Sequence, residues 1–130
     1  MKILFISHDA GRTGAPLLLL NFMKWLKINT SVEFDLLLLK GCEFEREFSQ
    51  LSCVYNWKAP VPELPNILIR IIRKITKHYP DYEKEYKKSL FDGFKNAKYD
   101  LIYANTVVTT SVVKELYDFL KIPVIVHIHE

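Results

Sequence analysis

The sequence predicts an α/β fold, a doubly wound parallel sheet of about five strands in the order 3-2-1-4-5 with a helical insertion. Three observations point there. Short, largely apolar runs recur at Lys2 to Ser7, Val32 to Leu39, Tyr99 to Ala104 and Val124 to Ile128, as expected of strands covered on both faces. Segments with apolar residues at helical spacing separate these runs. Polar residues gather just after the runs, where an open α/β sheet binds its ligands.

The first strand carries Ile3, Leu4, Phe5 and Ile6 without a break, and the apolar character then stops. His8, Asp9, Ala10, Gly11, Arg12, Thr13 and Gly14 follow, and Ala15-Pro16 opens a helix whose first turn tolerates proline because that N–H has no partner anyway. Such a junction aims unpaired N–H groups and the positive end of the helix dipole at one point, which favours a phosphate or carboxylate. Gly11 and Gly14 would let the anion approach closely. A branched side chain at Gly14 would block that approach and would resist a positive φ. The Gly-x-x-Gly pattern is neither the dinucleotide fingerprint nor a P-loop, and a turn alone would use both glycines as well.

The first helix, with Leu17 to Leu20, Phe22, Met23, Trp25 and Leu26, is expected to be buried around most of its circumference, Trp25 included. A turn at Asn29 to Ser31 leads to the second strand, which ends at Lys40-Gly41. Phe44 to Leu51 is a short helix and Cys53 to Trp57 a short third strand, after which Pro60, Pro62 and Pro65 mark a loop. From Asn66 to Tyr79, Ile67, Leu68, Ile71, Ile72 and Ile75 fall on one helical stripe with Arg70, Arg73, Lys74 and Lys77 opposite. Pro80 interrupts, and Tyr82 to Asn96 gives a lysine-rich second helix containing Tyr86, Leu90, Phe91 and Phe94. These two helices form the insertion. A basic amphipathic helix suits an anionic membrane surface, and it equally suits a solvated face packed on a sheet. After the fourth strand come Asn105-Thr106 and a helix through Val107, Val112, Val113, Leu116 and Leu120; Lys121-Ile122-Pro123 then turns into the last strand.

At 130 residues the chain suits one domain with a real core. Hydrophobic residues at 49% and charged residues at 25% exclude disordered and fibrous classes. The net charge of +3 is concentrated between Asn66 and Lys98, where nine Lys or Arg face four Asp or Glu, so no nucleic-acid partner is expected of the fold as a whole. Cys42 and Cys53 make neither a disulfide framework nor a metal site, and buried, reduced thiols in a cytoplasmic protein are expected. No apolar run reaches membrane-spanning length.

In the order 3-2-1-4-5 the first, fourth and fifth strands are neighbours, so His8 and Asp9, Asn105 and Thr106, and His129 and Glu130 should share one polar cleft with the glycine turn. His127 is expected to be a satisfied interior histidine. His127 and His129 alternate on one strand face, but the spacing fixes no third ligand, and no metal site is expected.

The stretches SHDAGRTGAPLLLLNFMKWL, DLIYANTVVTTSVV and PVIVHIHE resemble the first, fourth and fifth strand regions of the N-terminal, acceptor-side half of GT-B fold glycosyltransferases of family 4, a Rossmann-like domain. The resemblance implies retaining transfer of a sugar from a nucleotide-diphosphate donor to a carbohydrate or lipid-linked acceptor, in cell-envelope or polysaccharide biosynthesis, with no cofactor beyond the donor substrate. It places Gly11, Arg12, Thr13, Gly14 and Ala15 beside the donor phosphates and sugar, His8, Asp9, Asn105, Thr106 and Glu130 in the substrate cleft, and His129 at the reacting sugar as the catalytic group. It also implies a second, donor-binding C-terminal domain missing here, so that the chain is an N-terminal fragment inactive alone and prone to self-association. Residues 66–77 would then touch the inner face of the membrane. The competing class is a non-catalytic Rossmann-like binding or interaction module.

Overall fold

The computed structural model describes residues 1–60, 67, 71 and 82–128. Strands β1 (Lys2–Ser7), β2 (Glu33–Leu38), β3 (Val54–Asn56), β4 (Leu101–Ala104) and β5 (Val124–Val126) form a 5-stranded sheet, every pairing parallel, in the predicted order β3-β2-β1-β4-β5. Between them run helices α1 (Gly14–Asn29), α2 (Glu45–Ser49), α3 (Tyr82–Ala97) and α4 (Thr110–Leu120), the last entered through a 3-10 turn at Val107–Thr109. The architecture is a Rossmann-like α/β sandwich.

The pleat of β1 explains its uninterrupted apolar run. Ile3 and Phe5 face α1 and α2, whereas Leu4 and Ile6 face α3 and α4, so every side chain of the run enters one of two cores. Phe5 lies opposite Leu36 of β2 and Tyr103 of β4, and its ring meets those of Phe22, Phe34 and Tyr103 at centroid distances of 6.0, 5.8 and 5.2 Å. In the second core Phe94 of α3 packs on Tyr55 and Tyr99 at 5.1 and 5.9 Å. Edge-to-face contacts of this kind each add about 0.5–1.5 kcal/mol beyond area burial.

The second helix of the insertion is thus a working part of the sheet. As α3 it returns the chain from β3 to β4 and buries Leu90 and Phe94. The 66–77 helix lies outside the described residues apart from Ile67 and Ile71, which are helical and exposed. Pro62, Pro65, His129 and Glu130 also lie outside them. No helix among the described residues is long and apolar enough to cross a membrane.

Two expectations are corrected. Helix α1 buries only the stripe Pro16, Leu19, Leu20, Met23 and Leu26, while Leu17, Leu18, Phe22, Trp25 and Ile28 are exposed, Trp25 by 55%. A helix on an open sheet offers one face to the strands; Phe22, at the margin of that face, still packs on Phe5 and Tyr103, whereas Trp25 and Ile28 lie on the open side. Cys42 and Cys53 are both exposed free thiols, because they sit in the connections that flank α2 rather than in a strand or helix.

Helix α4 ends on Lys121 in the left-handed conformation, φ 55°, with its N–H bonded to the carbonyl of Tyr117. Lysine is strained there and glycine is not. Lys121→Gly is therefore expected to raise the unfolding free energy by about 0.5–1 kcal/mol in urea titration, with an unchanged m-value.

Candidate functional site

Three connections meet beyond the C-terminal ends of β1, β2 and β4. The turn after β1 is built around Asp9. Its carboxylate accepts the N–H of Gly11 at 3.1 Å and lies 3.5 Å from the His8 Nδ1, while its backbone carbonyl accepts the Ser7 hydroxyl at 2.8 Å. Asx-type bonding of this sort shapes a turn without help from glycine φ angles. No glycine in the described residues has a positive φ, which corrects the expectation for Gly14. What Gly14 provides is space, since a Cβ added there would meet no atom within 4 Å.

Helix α1 begins at Gly14 with Thr13 as N-cap, and Thr13 makes no side-chain cap bond. Its carbonyl accepts the N–H of Leu17 at 3.2 Å. Pro16 has no N–H, and those of Gly14 and Ala15 have no intrahelical acceptor. The start of α1 is fixed from the neighbouring strand instead. Asn105, buried just after β4, donates its backbone N–H to Ile6 at 2.9 Å and its side-chain amide to the Ala15 carbonyl at 2.9 Å.

Thr106 completes this corner. Its hydroxyl oxygen is shielded from solvent and makes no hydrogen bond, although its carbonyl accepts the Thr109 hydroxyl at 2.7 Å. Ser7, His8, Asp9, Thr13, Ala15 and Thr106 border a cleft of 90 Å³. That is small beside the roughly 300–1,000 Å³ usual for a ligand pocket, so the described residues offer a subsite for one group of a larger ligand.

Of the candidate residues, the structure places His8, Asp9, Thr13, Gly14, Ala15, Asn105 and Thr106 at one corner. Arg12 is engaged elsewhere. Its Nε lies 3.2 Å from Glu43 Oε2 and its guanidinium sits over the Phe44 ring, both on the β2–α2 connection. His127, read as a satisfied interior histidine, is half-buried with Nδ1 2.7 Å from the Tyr103 hydroxyl. Burial raises the Tyr103 pKa above the ordinary phenol value, so the hydroxyl stays protonated, and the direction of its bond to Nδ1 follows the imidazole tautomer. Both residues border an apolar groove of 280 Å³ with Leu18 and Phe22 of α1.

Two hollows went unread in the sequence. One of 540 Å³ lies open between α3 and α4, but its Lys84, Lys87 and Lys88 are balanced by Glu83, Asp92 and Glu115, and no strand end opens into it. The other, of 340 Å³, lies at the ends of β2 and β3. Polar residues after those strands were the available signal. Among the described residues, no three His, Cys, Asp or Glu converge as metal ligands.

No protein-family model matches the chain, and no curated protein matches it in sequence. Solved structures do. The crystal structure of Anabaena HepE in complex with UDP and glucose matches 100% of this chain with a TM-score of 0.63 at 22% identity, over 30% of the HepE chain. HepE in complex with UDP-glucose gives 0.60 at 21% identity, over 29% of its length. The C-terminal domain of a Pyrococcus furiosus hydrogenase matches 96% of the chain at 0.53 and 18% identity, over 88% of that domain. This chain thus spans about 30% of the length of HepE, and the likeness establishes a shared fold.

Proposed function

We propose that the chain is the acceptor-side part of a glycosyltransferase that takes a sugar from a nucleotide-diphosphate donor, in the manner of the GT-B enzymes of family 4. The observation that carries this reading is the corner at the start of α1. It combines N–H groups without intrahelical acceptors, a position open to close approach at Gly14, and the shielded Thr106 hydroxyl, all at the C-terminal edge of a doubly wound sheet. Its likeness over the whole chain to a protein crystallised with UDP and with UDP-glucose supports the same reading.

In this proposal a donor phosphate sits on the N–H groups of Gly14 and Ala15, with Thr106 and His8 bordering the ligand. Gly11 and Asp9 shape the turn, and Arg12 orders it through Glu43. Asn105 holds the helix start in place. His129, next to Glu130 in the sequence, is the group proposed to reach the reacting sugar during retaining transfer. The cleft is too small to enclose a nucleotide, so a further donor-binding domain would supply the rest, and the chain alone would not turn over. Action on a lipid-linked acceptor at the inner face of the membrane, with contact through residues 66–77, belongs to the same proposal. So does self-association of the isolated chain through the sheet edge at Val124 to Ile128 and uncovered apolar surface, such as the exposed side of α1.

Titration of the 15N-labelled chain with UDP tests the reading. Amide shifts are expected at Gly14, Ala15 and Thr106. Shifts confined to the lysines of α3, or none at saturating UDP, would overturn it. The second reading, a non-catalytic binding or interaction module, predicts no UDP response; the same fold in a hydrogenase domain means that the fold by itself does not specify sugar transfer.

A further inference from the structure

The hollow at the ends of β2 and β3 is lined by Lys40, Gly41, Glu45, Asn56, Lys58 and Tyr86, among others, and has a volume of 340 Å³, within the usual range for a small-molecule pocket. Its polar floor is fixed. Tyr86 of α3 donates its hydroxyl to the Asn56 carbonyl at 2.6 Å, and the Asn56 side-chain amide donates to Glu45 Oε1 at 3.2 Å. Glu45 Oε2 lies against Gly41, where a Cβ would collide with it, so the carboxylate reaches this position only because residue 41 has no side chain. Two ammonium groups flank the floor. Lys40 and Lys58 are exposed, and among the described residues neither is ion-paired.

This pocket differs in kind from the balanced hollow between α3 and α4. It holds two cations and one carboxylate, and the carboxylate already accepts a hydrogen bond from Asn56. A ligand here meets a net positive charge together with a fixed carboxylate, amide and phenol suited to hydroxyl groups. The chemistry that satisfies both is a hydroxylated molecule bearing an acidic group.

Its place in the fold gives it a partner site. The N–H of Leu39 bonds the Ser7 carbonyl at 3.0 Å, and the N–H of Phe44 bonds the Ala10 carbonyl at 2.8 Å, so the pocket wall and the glycine turn are laced together. β3 and β1 are separated by β2 alone, about 10 Å across two strand spacings. A short carbohydrate can bridge that distance along the sheet edge.

We propose that this pocket is a binding subsite for an anionic carbohydrate, a uronic acid or a sugar phosphate, on the acceptor side of the transfer; the acceptor role rests on the function proposed above. Lys40 and Lys58 take the acidic group, while Glu45 and Asn56 take ring hydroxyls.

Glucuronate, glucose and inorganic phosphate, titrated separately into the 15N-labelled chain at matched ionic strength, test the assignment. Glucuronate is expected to shift the amides of Lys40, Gly41, Asn56 and Lys58 and to bind at least about fivefold more tightly than glucose, the preference falling with added salt. Replacing both lysines (Lys40→Gln with Lys58→Gln) should erase the preference while spectral dispersion shows the fold intact. Glucose-6-phosphate tested alongside tells which acid is favoured, and tighter binding of either sugar acid than of glucose supports the proposal. Equal binding of glucose and both sugar acids overturns it, as do shifts elsewhere or a preference that survives in the double variant. Phosphate as effective as the sugar acids would also overturn it, by showing an anion site indifferent to carbohydrate. UDP added to the same sample reports on Gly14 and Ala15, so loss of the acceptor subsite and loss of the donor reading give separate signals.

Discussion

Asp35→Ala is expected to lower the unfolding free energy by about 2–4 kcal/mol, the largest loss from any single polar side chain in the described core. Asp35 lies in β2 opposite Leu4 and is 7% exposed, in an otherwise apolar run. Its Oδ2 accepts the Tyr99 hydroxyl at 2.6 Å and lies 3.2 Å from Lys2 Nζ, while Lys2 also sits 5.2 Å from the centre of the Tyr99 ring. The carboxylate therefore joins the starts of β1 and β4 to β2. Truncating it takes the carboxylate acceptor from a phenol that is 5% exposed and leaves it only the neighbouring Tyr55 hydroxyl, and that weakened pairing of a desolvated donor is the larger part of the cost. Tyr99→Phe removes the donor but leaves the carboxylate its lysine, so a smaller loss of about 1–2 kcal/mol is expected. A double-mutant cycle in urea should show the two changes to be strongly non-additive. Additive losses would mean that the hydrogen bond contributes little.

The same pair sets an alkaline limit. Burial, followed by the Asp35 hydrogen bond and charge, raises the Tyr99 pKa well above the ordinary phenol value. A group whose folded pKa is raised contributes stability that is complete below its unfolded pKa, about 10 for tyrosine, and lost as pH climbs towards the folded value. Stability should accordingly fall above about pH 10, and Tyr99→Phe should flatten that fall.

Strand order was legible because each strand's residues agree with one another. Ile3 to Ile6 can only be buried on both faces, and helices that alternate with such strands leave few topologies. The corner at α1 was legible for a similar reason, since Ser7 ends the apolar run and Gly14-Ala15-Pro16 opens a helix. Asp35 was not. A single carboxylate inside DLLLL gives no sign of its partner 64 residues away, and only the pairing of β1 with β2 and β4 brings Tyr99 to it. The outer face of α1 was misread because composition shows that Trp25 and Ile28 are apolar but cannot show whether anything covers them. Lys40, Asn56 and Lys58 follow the same strand-end rule that singled out His8 and Asn105. Lys40 follows β2, Asn56 closes β3 and Lys58 follows it, where no recognisable motif drew the rule's attention.

The glycine at the start of α1 separates fold from function most sharply. Because Gly14 has no positive φ and a Cβ there meets nothing within 4 Å, Gly14→Val should leave the fold intact, with a stability change of no more than about 1 kcal/mol. Stability could even rise, since glycine is the poorer helix former. Ligand binding should respond in the opposite sense. A phosphate that accepts hydrogen bonds from the N–H groups of Gly14 and Ala15 must approach the backbone closely, and an isopropyl group occupies that approach. UDP affinity, followed by amide shifts, is expected to fall at least about tenfold in Gly14→Val and less in Gly14→Ala, whose single methyl blocks less of the space. Thermal melts of the same samples give the stability half of the test. Undiminished UDP binding in a folded Gly14→Val protein would move the anion away from the helix start, and the donor assignment of the whole corner would fall with it.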